Sequence, residues 1–506
     1  MLPSTDTRFW AMDRIESIGS GHWLIAFFAG ALATLGFAPF HHPGAILLSM
    51  SVLYTQLHLS TRKQSWFIGL AFGLGLMSVG ISWVSVSIHL YGHLPILAAL
   101  GITAIFVFYL GLYPALCTLS YHYFARPNAP LVNALLFSSL WCISEYLRAH
   151  VFTGFPWLLL GFGQIDTPLK YMLPIIGIYG VSFLTVFAAT ALSHTVRKIP
   201  CSFYWLITFV SILIAPACLH CFAWSPTSKH SLSISMIQAN LSMRDKWDET
   251  LFWKIFEHYK HATEDFLGKT ELIILPESAI PLPATYVQEW LTDLNFRAKR
   301  MGSAVLMGIP EESDAQQIDF YNTIIGLGTA SGSYRKQQLV PFGEYIPKVF
   351  QPVMNWLALP QSTMISGPNH PRLMTVNHHP FASLICYELA YPELLRQQLP
   401  KAQWIVSLSD DGWFGHSFAL YQHVQMAQVF SILSNRYQVV ANNSGLSCLI
   451  NNQGDIIHAL PAHTSGILKG TIYALEGRTP WMILGDKPVL VMCAVLIGLI
   501  AVRRFK

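Results

Sequence analysis

Long apolar runs and one polar block alternate along the chain of 506 residues. From about residue 20 to about residue 225, apolar runs follow one another with short polar gaps, and one more run lies near the C-terminus. A helix needs about 20 apolar residues to cross a bilayer, so the pattern predicts a polytopic α-helical membrane domain of about eight spans. The predicted spans are 22–40, 43–58, 66–87, 94–119, 131–148, 171–194, 203–224 and 481–502.

The polar block has a different periodicity, because short strand-like runs alternate there with helical patterns. The strand-like runs include 232–238, 271–275, 304–309, 323–327, 381–386 and 404–408, and the helical ones include 247–266, 286–300 and 419–435. Such alternation is typical of a layered α/β domain. The sequence therefore predicts three parts: a membrane domain at 1–229, an inserted α/β domain at 230–476, and a last span with its tail at 477–506.

Composition supports a membrane protein and excludes several other classes. Hydrophobic residues make up 53% of the chain and charged residues only 11%, against about 25% charged in a soluble protein. The net charge of +4, without a basic stripe, argues against nucleic-acid binding. Most of the 8 cysteines lie in or beside apolar runs, so no disulfide framework is expected. The histidines show no paired ligand spacing, so we expect no metal and no cofactor.

Basic residues in the short gaps predict the orientation of the spans. Basic residues gather on the cytoplasmic side of membrane proteins. They occur here before the first span, in alternate gaps and in the tail, at Arg8, Arg14, Arg62, Lys63, Arg126, Arg197, Lys198, Arg503, Arg504 and Lys506. Both termini are therefore expected in the cytoplasm and the block 230–476 outside it.

Three reactive side chains stand at the ends of predicted strands. Glu277 follows the run 271–275, Lys336 follows Tyr334, and Cys386 lies on an elbow between a strand and a helix that begins near Pro392. Each could be a packing or surface residue when taken alone. Together, a carboxylate, an amine and a thiol suit covalent acyl chemistry. The elbow would aim backbone N–H groups at the thiol, which predicts a lowered thiol pKa and an oxyanion site.

These segments resemble the nitrilase superfamily. The resemblance rests on Pro276-Glu277, on Lys336 followed by Pro341-Phe342-Gly343-Glu344, and on Cys386-Tyr387-Glu388. With the spans added, the chain is similar to a membrane-embedded branch of that superfamily, the apolipoprotein N-acyltransferase family. Further matching segments are 237–240, Trp247, 321–323, 336–347, 409–415, 422–427 and 442–445. Ser409-Asp410-Asp411 departs from the Ser-Asn-Asp that the family often has, and we expect this variation to be tolerated.

The resemblance implies a fold and a set of site residues. The inserted domain would be a nitrilase-like αββα sandwich, with Glu277 as general base, Lys336 as oxyanion-stabilising cation and Cys386 as nucleophile. A backbone N–H near Tyr387 would assist Lys336. The implied supporting residues are Glu344, Tyr387 and Glu388, and the implied substrate contacts are Trp247, Asn322 and Trp413.

The resemblance also implies an activity. A phospholipid would donate an acyl chain to Cys386, and the thioester would pass it to the α-amine of the N-terminal diacylglyceryl-cysteine of an apolipoprotein. This reaction is the last step of lipoprotein maturation. It would take place in the bacterial inner membrane, without a cofactor, in a monomeric enzyme.

Two other functions are compatible with parts of the sequence. A membrane-anchored nitrilase-type amidase acting on a small amide would need the same three residues, but a single anchor would suffice for it. A transporter with an accessory domain would need ionisable residues in its spans. The predicted spans hold few of these apart from Glu145 and Arg148.

Overall fold

The computed structural model describes residues 21–92, 94–222, 224–225, 230–313, 319–348, 351 and 364–502. The chain divides into two compact units. The membrane unit comprises the described residues of Met1–Met172, Ile178–Cys218 and Asp486–Lys506, and the catalytic unit those of Leu173–Gly177 and Leu219–Gly485. The orientation predicted from Arg8, Arg14 and the tail Arg503–Lys506 rests on residues outside the described part.

Fifteen α-helices occur in the described residues. Up to the polar block they are α1 (Gly21–Ala33), α2 (Pro43–Leu57), α3 (Arg62–Gly80), α4 (Trp83–Leu90), α5 (Ile96–Phe124), α6 (Pro130–His150), α7 (Leu173–Val196) and α8 (Ser202–Ile214). The remaining ones are α9 (Met243–Lys246), α10 (Phe252–Glu264), α11 (Gln288–Arg300), α12 (Pro392–Gln398), α13 (Ala419–Ser434), α14 (Pro480–Leu484) and α15 (Lys487–Val502).

A helical membrane domain is confirmed, but a count of about eight spans is not. Four helical stretches are long and apolar enough to cross a bilayer, at Ile96–Phe124, Pro130–His150, Pro168–Val196 and Ser202–Cys221. A fifth is possible if α3 and α4, bent by 53°, form one broken span. The apolar helices α1, α2 and α15 are shorter than 18 residues. Each predicted segment holds a helix, but breaks and turns shorten several of them.

Glu145 and Arg148 of α6 hold the loop that follows this helix. Glu145 accepts hydrogen bonds from the Trp141 indole at 3.1 Å and from the Leu160 N–H at 2.9 Å. Arg148 donates to the carbonyl of Phe155 at 3.1 Å. Buried charges in a membrane segment are normally paired with such partners. Their contacts give them a structural role in folding this loop.

The catalytic unit contains two mixed β-sheets. Their strands are β1 (Ser231–Gln238), β2 (Leu272–Ile274), β3 (Ala304–Glu312), β4 (Phe320–Gly328), β5 (Ala330–Ser331), β6 (Ser333–Arg335), β7 (Met374–Val376), β8 (His379–Ile385), β9 (Ile405–Ser409), β10 (Gln438–Asn442), β11 (Ser447–Ile450), β12 (Ile456–Leu460) and β13 (Gly466–Tyr473). One sheet has the order β13-β1-β2-β3-β4-β6 and the other β12-β11-β10-β9-β8-β7-β5. Strands β1, β2 and β3 are parallel to one another, as are β8, β9 and β10.

Alternating side chains along the strands build two apolar layers. In β2, Leu272 and Ile274 enter a core shared with β8, β9 and β10 of the other sheet. Ile273, between them, packs instead with Tyr259 of α10 and Leu294 of α11. This is the period-two alternation of a strand that is covered on both faces. Helix α13 packs against β10 and β11. The α/β fold is therefore confirmed, with its layers in the order helix, sheet, sheet, helix.

Candidate active site

Cys386 lies on a tight elbow at the end of a buried parallel strand. Strand β8 ends at Ile385, a 3-10 turn spans Cys386–Ala390, and α12 begins at Pro392. Cys386 has φ of +50°, in the left-handed region that non-glycine residues seldom adopt. Its exposed fraction is only 7%. Such backbone strain persists where surrounding contacts hold it, and it is common at functional sites.

Glu388 holds the shape of this elbow. Its buried carboxylate accepts from the N–H of Ile385 at 2.7 Å, the Tyr334 hydroxyl at 2.9 Å, and the N–H groups of Gln337 and Gln338 at 2.7 and 3.1 Å. Burial raises the pKa of Glu388 to about 7, although the three backbone N–H donors and the charge of Lys336 oppose the rise. The residues after Lys336 are thereby fastened to the turn that carries Cys386.

Glu277 follows β2, and hydrogen-bond donors surround its carboxylate. Its Oε1 accepts from the Asn322 amide at 2.7 Å and lies 3.4 Å from Lys336 Nζ, and its Oε2 accepts from the Asp410 N–H at 2.8 Å. Burial alone would raise the pKa of Glu277, but Lys336 and Lys246 outweigh it and lower that pKa below its ordinary value. The carboxylate is therefore ionised and able to accept a proton.

Lys336 follows β6 and is oriented by Glu344. Its Nζ lies 2.8 Å from Glu344 Oε1, while the other oxygen of Glu344 accepts from the Val340 N–H at 2.8 Å. Burial would lower the pKa of Lys336, but the carboxylates of Glu344 and Glu277 raise it above its ordinary value. Lys336 is thus a fixed ammonium ion, suited to stabilise a developing negative charge.

The expectation of a lowered thiol pKa is wrong for this state of the protein. Burial raises the pKa of Cys386 well above its ordinary value and the charge of Glu277 raises it further, whereas Lys336 acts in the opposite direction. The thiol is therefore protonated at rest. Attack by this sulfur therefore requires a base that removes its proton, and among the carboxylates that raise this pKa the charge of Glu277 has the largest effect.

The three implied substrate contacts, Trp247, Asn322 and Trp413, differ from one another in burial and position. Asn322 is buried and bonded to Glu277, within the site itself. Trp247 and Trp413 are 40% and 39% exposed, next to segments that pack together through an ion pair of Lys246 and Asp410. Tyr387 lies in the elbow, and its hydroxyl accepts from the Tyr391 hydroxyl at 3.1 Å. The roles of these side chains stay predictions.

Two buried pairs near the site were not identified from the sequence. Lys246 forms an ion pair with Asp410 and donates to the Glu277 carbonyl at 2.8 Å. His423 and Asp411 form the second pair, 2.9 Å apart. Asp410, Asp411 and His423 lie in segments that carry the resemblance, but spacing along the chain assigns neither pair a role. Within the described residues, no group of three or more His, Cys, Asp or Glu side chains could hold a metal ion.

This arrangement can perform covalent acyl transfer. A buried thiol, an ionised carboxylate and a fixed ammonium ion supply a nucleophile, a general base and an electrostatic stabiliser. Each of the three follows the end of a different strand, and functional residues often lie on such loops held by a rigid scaffold.

Comparisons with known proteins match both parts of the chain. The model of the apolipoprotein N-acyltransferase N-terminal domain matches residues 29–191, and that of carbon-nitrogen hydrolase matches 233–479. The apolipoprotein N-acyltransferase of Shewanella oneidensis is 33% identical over 504 residues, 96% of each chain. That of Coxiella burnetii is 34% identical over 465 residues, covering 91% of this chain and 95% of the relative. A solved carbon-nitrogen hydrolase from Helicobacter pylori is 14% identical with a TM-score of 0.38, covering 48% of this chain and 89% of its own.

Proposed function

The chain belongs to the apolipoprotein N-acyltransferase family, and from that premise we propose that Cys386 relays an acyl chain between two membrane lipids. The enzyme N-acylates apolipoproteins and is a protein of the bacterial inner membrane. The donor is a phospholipid. The acceptor is the α-amine of the N-terminal diacylglyceryl-cysteine of an apolipoprotein.

In the first half-reaction, Glu277 takes the proton of Cys386 as Sγ attacks an ester carbonyl of the phospholipid. The carbonyl oxygen becomes an oxyanion, which Lys336 Nζ and the Tyr387 N–H stabilise. When the tetrahedral intermediate collapses, the C–O bond of the ester breaks and Glu277 returns the proton to the departing alkoxide. The products are a thioester on Cys386 and a lysophospholipid.

In the second half-reaction, the neutral α-amine of the acceptor attacks the thioester carbonyl. A C–N bond forms, Glu277 accepts the proton that the amine loses, and the same oxyanion site holds the intermediate. Cleavage of the C–S bond then returns Cys386 as a thiol with that proton. Two transfers through one covalent intermediate predict ping-pong kinetics.

One observation carries this proposal: an ionised Glu277 and an ammonium on Lys336, 3.4 Å apart, both act electrostatically on the buried thiol of Cys386. Burial of these groups also limits the access of water, which would otherwise hydrolyse the thioester. We place the catalytic unit on the extracytoplasmic side, with both termini in the cytoplasm, and assign the activity to a monomer.

Intact-mass spectrometry of the purified full-length protein tests the proposal. Incubation with phospholipid should add the mass of one acyl chain at Cys386, and a diacylated lipopeptide should then remove it by gaining an amide. The Cys386→Ser variant should gain no thioester. Glu277→Gln should fold but acylate more slowly by about a hundredfold or more, because general-base catalysis contributes about that factor.

The other outcomes separate the alternatives. An acyl group that is lost only to water would make the protein a lipid hydrolase. A protein that ignores every phospholipid but forms an acyl-enzyme with a small amide would be an amidase. A thioester that persists in Cys386→Ser would remove Cys386 from the mechanism.

A further inference from the structure

The buried imidazole of His423 contacts the backbone of Cys386, the proposed nucleophile. His423, on α13, is 1% exposed, and its Nε2 lies 3.0 Å from the carbonyl oxygen of Cys386. A carbonyl oxygen can only accept a hydrogen bond. Nε2 therefore carries a hydrogen and donates it to the backbone of the nucleophile.

The other ring nitrogen is held by a second buried network. His423 Nδ1 lies 2.9 Å from Asp411 Oδ1, and Asp411 Oδ2 accepts from the Asn442 amide at 2.7 Å. Asn442 Oδ1 in turn accepts from the N–H groups of Asp411 and Gly445, at 3.0 and 2.9 Å, which fixes the orientation of its amide. A Cβ on Gly445 would lie 2.5 Å from Asn442 Nδ2, so the backbone closes tightly over this network.

A bond to the Cys386 carbonyl also fixes the N–H of the next residue. The only cis peptide bonds among the described residues are Ala38-Pro39 and Leu399-Pro400, so the Cys386–Tyr387 bond is trans. In a planar trans peptide the C=O and the N–H point in opposite directions. Since His423 holds the oxygen on one side, the Tyr387 N–H is directed to the other side.

We propose that His423 is a positioning residue, which clamps the Cys386 carbonyl and thereby aims the Tyr387 N–H at the oxyanion of the tetrahedral intermediate. The inference rests on the proposed function, because it assigns a partner to the oxyanion site of that reaction. Asp411 and Asn442 set the ring orientation of His423.

Two amide substitutions of His423 distinguish a role in positioning the Tyr387 N–H from a role in packing alone. In His423→Gln the amide nitrogen can take the place of Nε2 and still donate to the Cys386 carbonyl. In His423→Asn the amide nitrogen can take the place of Nδ1 and bond to Asp411, but the Cys386 carbonyl then loses its donor. Both variants lose the ring, so both should lower the midpoint of thermal unfolding to a similar extent.

The rate of acyl-enzyme formation should differ between the two variants. We expect His423→Asn to acylate about a hundredfold more slowly than wild type in a single turnover with phospholipid, the usual effect of losing one oxyanion donor. His423→Gln should stay within about tenfold of wild type. Alkylation of Cys386 by iodoacetamide, followed by peptide mapping, forms no oxyanion and should change by less than about threefold in either variant.

Equal acylation rates in the two variants would overturn the inference, and so would an alkylation rate that falls as steeply as acylation in His423→Asn. Either result would show that His423 only packs against the elbow, and the proposed function would be unaffected. A wild-type protein that takes up no acyl chain from phospholipid would instead overturn the proposed function, and this inference with it.

Discussion

At the scale of single residues, the ion pair of Lys246 and Asp410 holds Glu277, the proposed general base, in place. The two side chains are only 2% and 3% exposed. Lys246 also donates to the backbone carbonyl of Glu277, and the Asp410 N–H donates to its side chain. Both members of the pair thus contact Glu277 directly. Burial raises the pKa of Asp410, and the charge of Lys246 opposes that rise.

Removal of one member of this pair should cost much more stability than removal of both charges. Lys246→Met leaves Asp410 as an unpaired buried charge, which should lower the free energy of unfolding by about 3–5 kcal/mol. Asp410→Asn in the same chain should restore most of that loss. Denaturant unfolding of the catalytic unit within the full-length protein measures both effects.

Lys260→Met is the matched control for this pair. Lys260 bonds to Glu257 on the exposed surface of α10, and its removal should cost less than about 1 kcal/mol. A Lys246→Met variant no less stable than Lys260→Met would show that the buried pair is not needed. Failure of Asp410→Asn to restore stability would show that the loss is not electrostatic.

The sequence predicts those candidate-site residues that follow from local structure, and it does not predict those that depend on pairing between distant segments. Glu277, Lys336 and Cys386 each follow a short apolar strand, a pattern that the chain displays directly. Lys246 and Asp410 are 164 residues apart, and nothing near either one predicts the partner. The raised pKa of Cys386 was missed for the same reason, because it comes from burial and from Glu277 rather than from the elbow.

At the scale of secondary-structure elements, Arg436 fastens three segments of the catalytic unit. Its side chain, which is fully buried just before β10, donates to the carbonyls of Ala402 and Gly477 at 2.9 and 2.8 Å and to the Ser225 hydroxyl at 3.1 Å. Ser225 precedes β1 and Gly477 follows β13. One guanidinium therefore ties together the two ends of the catalytic unit, next to β9 and β10.

Loss of this guanidinium should loosen both ends of the catalytic unit. Arg436→Met leaves the carbonyls of Ala402 and Gly477 without a donor, and each such loss costs about 1–3 kcal/mol. Limited proteolysis should therefore cut the segment around Gly477 at least about tenfold faster than in wild type. Arg436→Lys should not restore protection, since an ammonium cannot reproduce the planar fork.

An exposed arginine gives the comparison for this experiment. Arg396 pairs with Glu393 on the surface of α12, and Arg396→Met should leave the cleavage rate within about twofold of wild type. Equal protection of Gly477 in Arg436→Met and wild type would contradict the fastening role.

The types of the elements follow from local periodicity, but the lengths of the membrane helices do not. The predicted runs 304–309 and 323–327 lie within β3 and β4, and the pattern at 286–300 nearly coincides with α11. In the membrane unit, the predicted span 66–87 is broken between α3 and α4 by a bend of 53°. Hydropathy records how apolar a segment is, whereas helix packing and turns decide where each helix bends or ends.

At the scale of the whole molecule, native cysteines offer a test of orientation. Cys201 and Cys218 are exposed in the membrane unit, near opposite ends of the candidate span Ser202–Cys221. Cys201 follows the basic pair Arg197-Lys198, so it is predicted to face the cytoplasm. The chain continues from Cys218 into the catalytic unit.

A membrane-impermeant maleimide should distinguish these two cysteines in spheroplasts. Each variant keeps one of them, with the other and Cys221 replaced by serine. We expect Cys218 to be labelled in intact spheroplasts and Cys201 only after lysis. The reverse order would place the catalytic unit in the cytoplasm and overturn the proposed orientation.

The protonated state of Cys386 also determines how the enzyme tolerates oxidants. Peroxides and small disulfides react with thiolates far faster than with thiols. A thiol that is 7% exposed, and whose pKa is raised by burial and by Glu277, therefore presents little to attack at rest. In the mechanism proposed here, the thiolate forms only while Glu277 holds the proton, and the lipid ester is then bound at the sulfur. The burial that raises the pKa of Cys386, and so makes the thiol depend on a base, should therefore also slow its oxidation at rest.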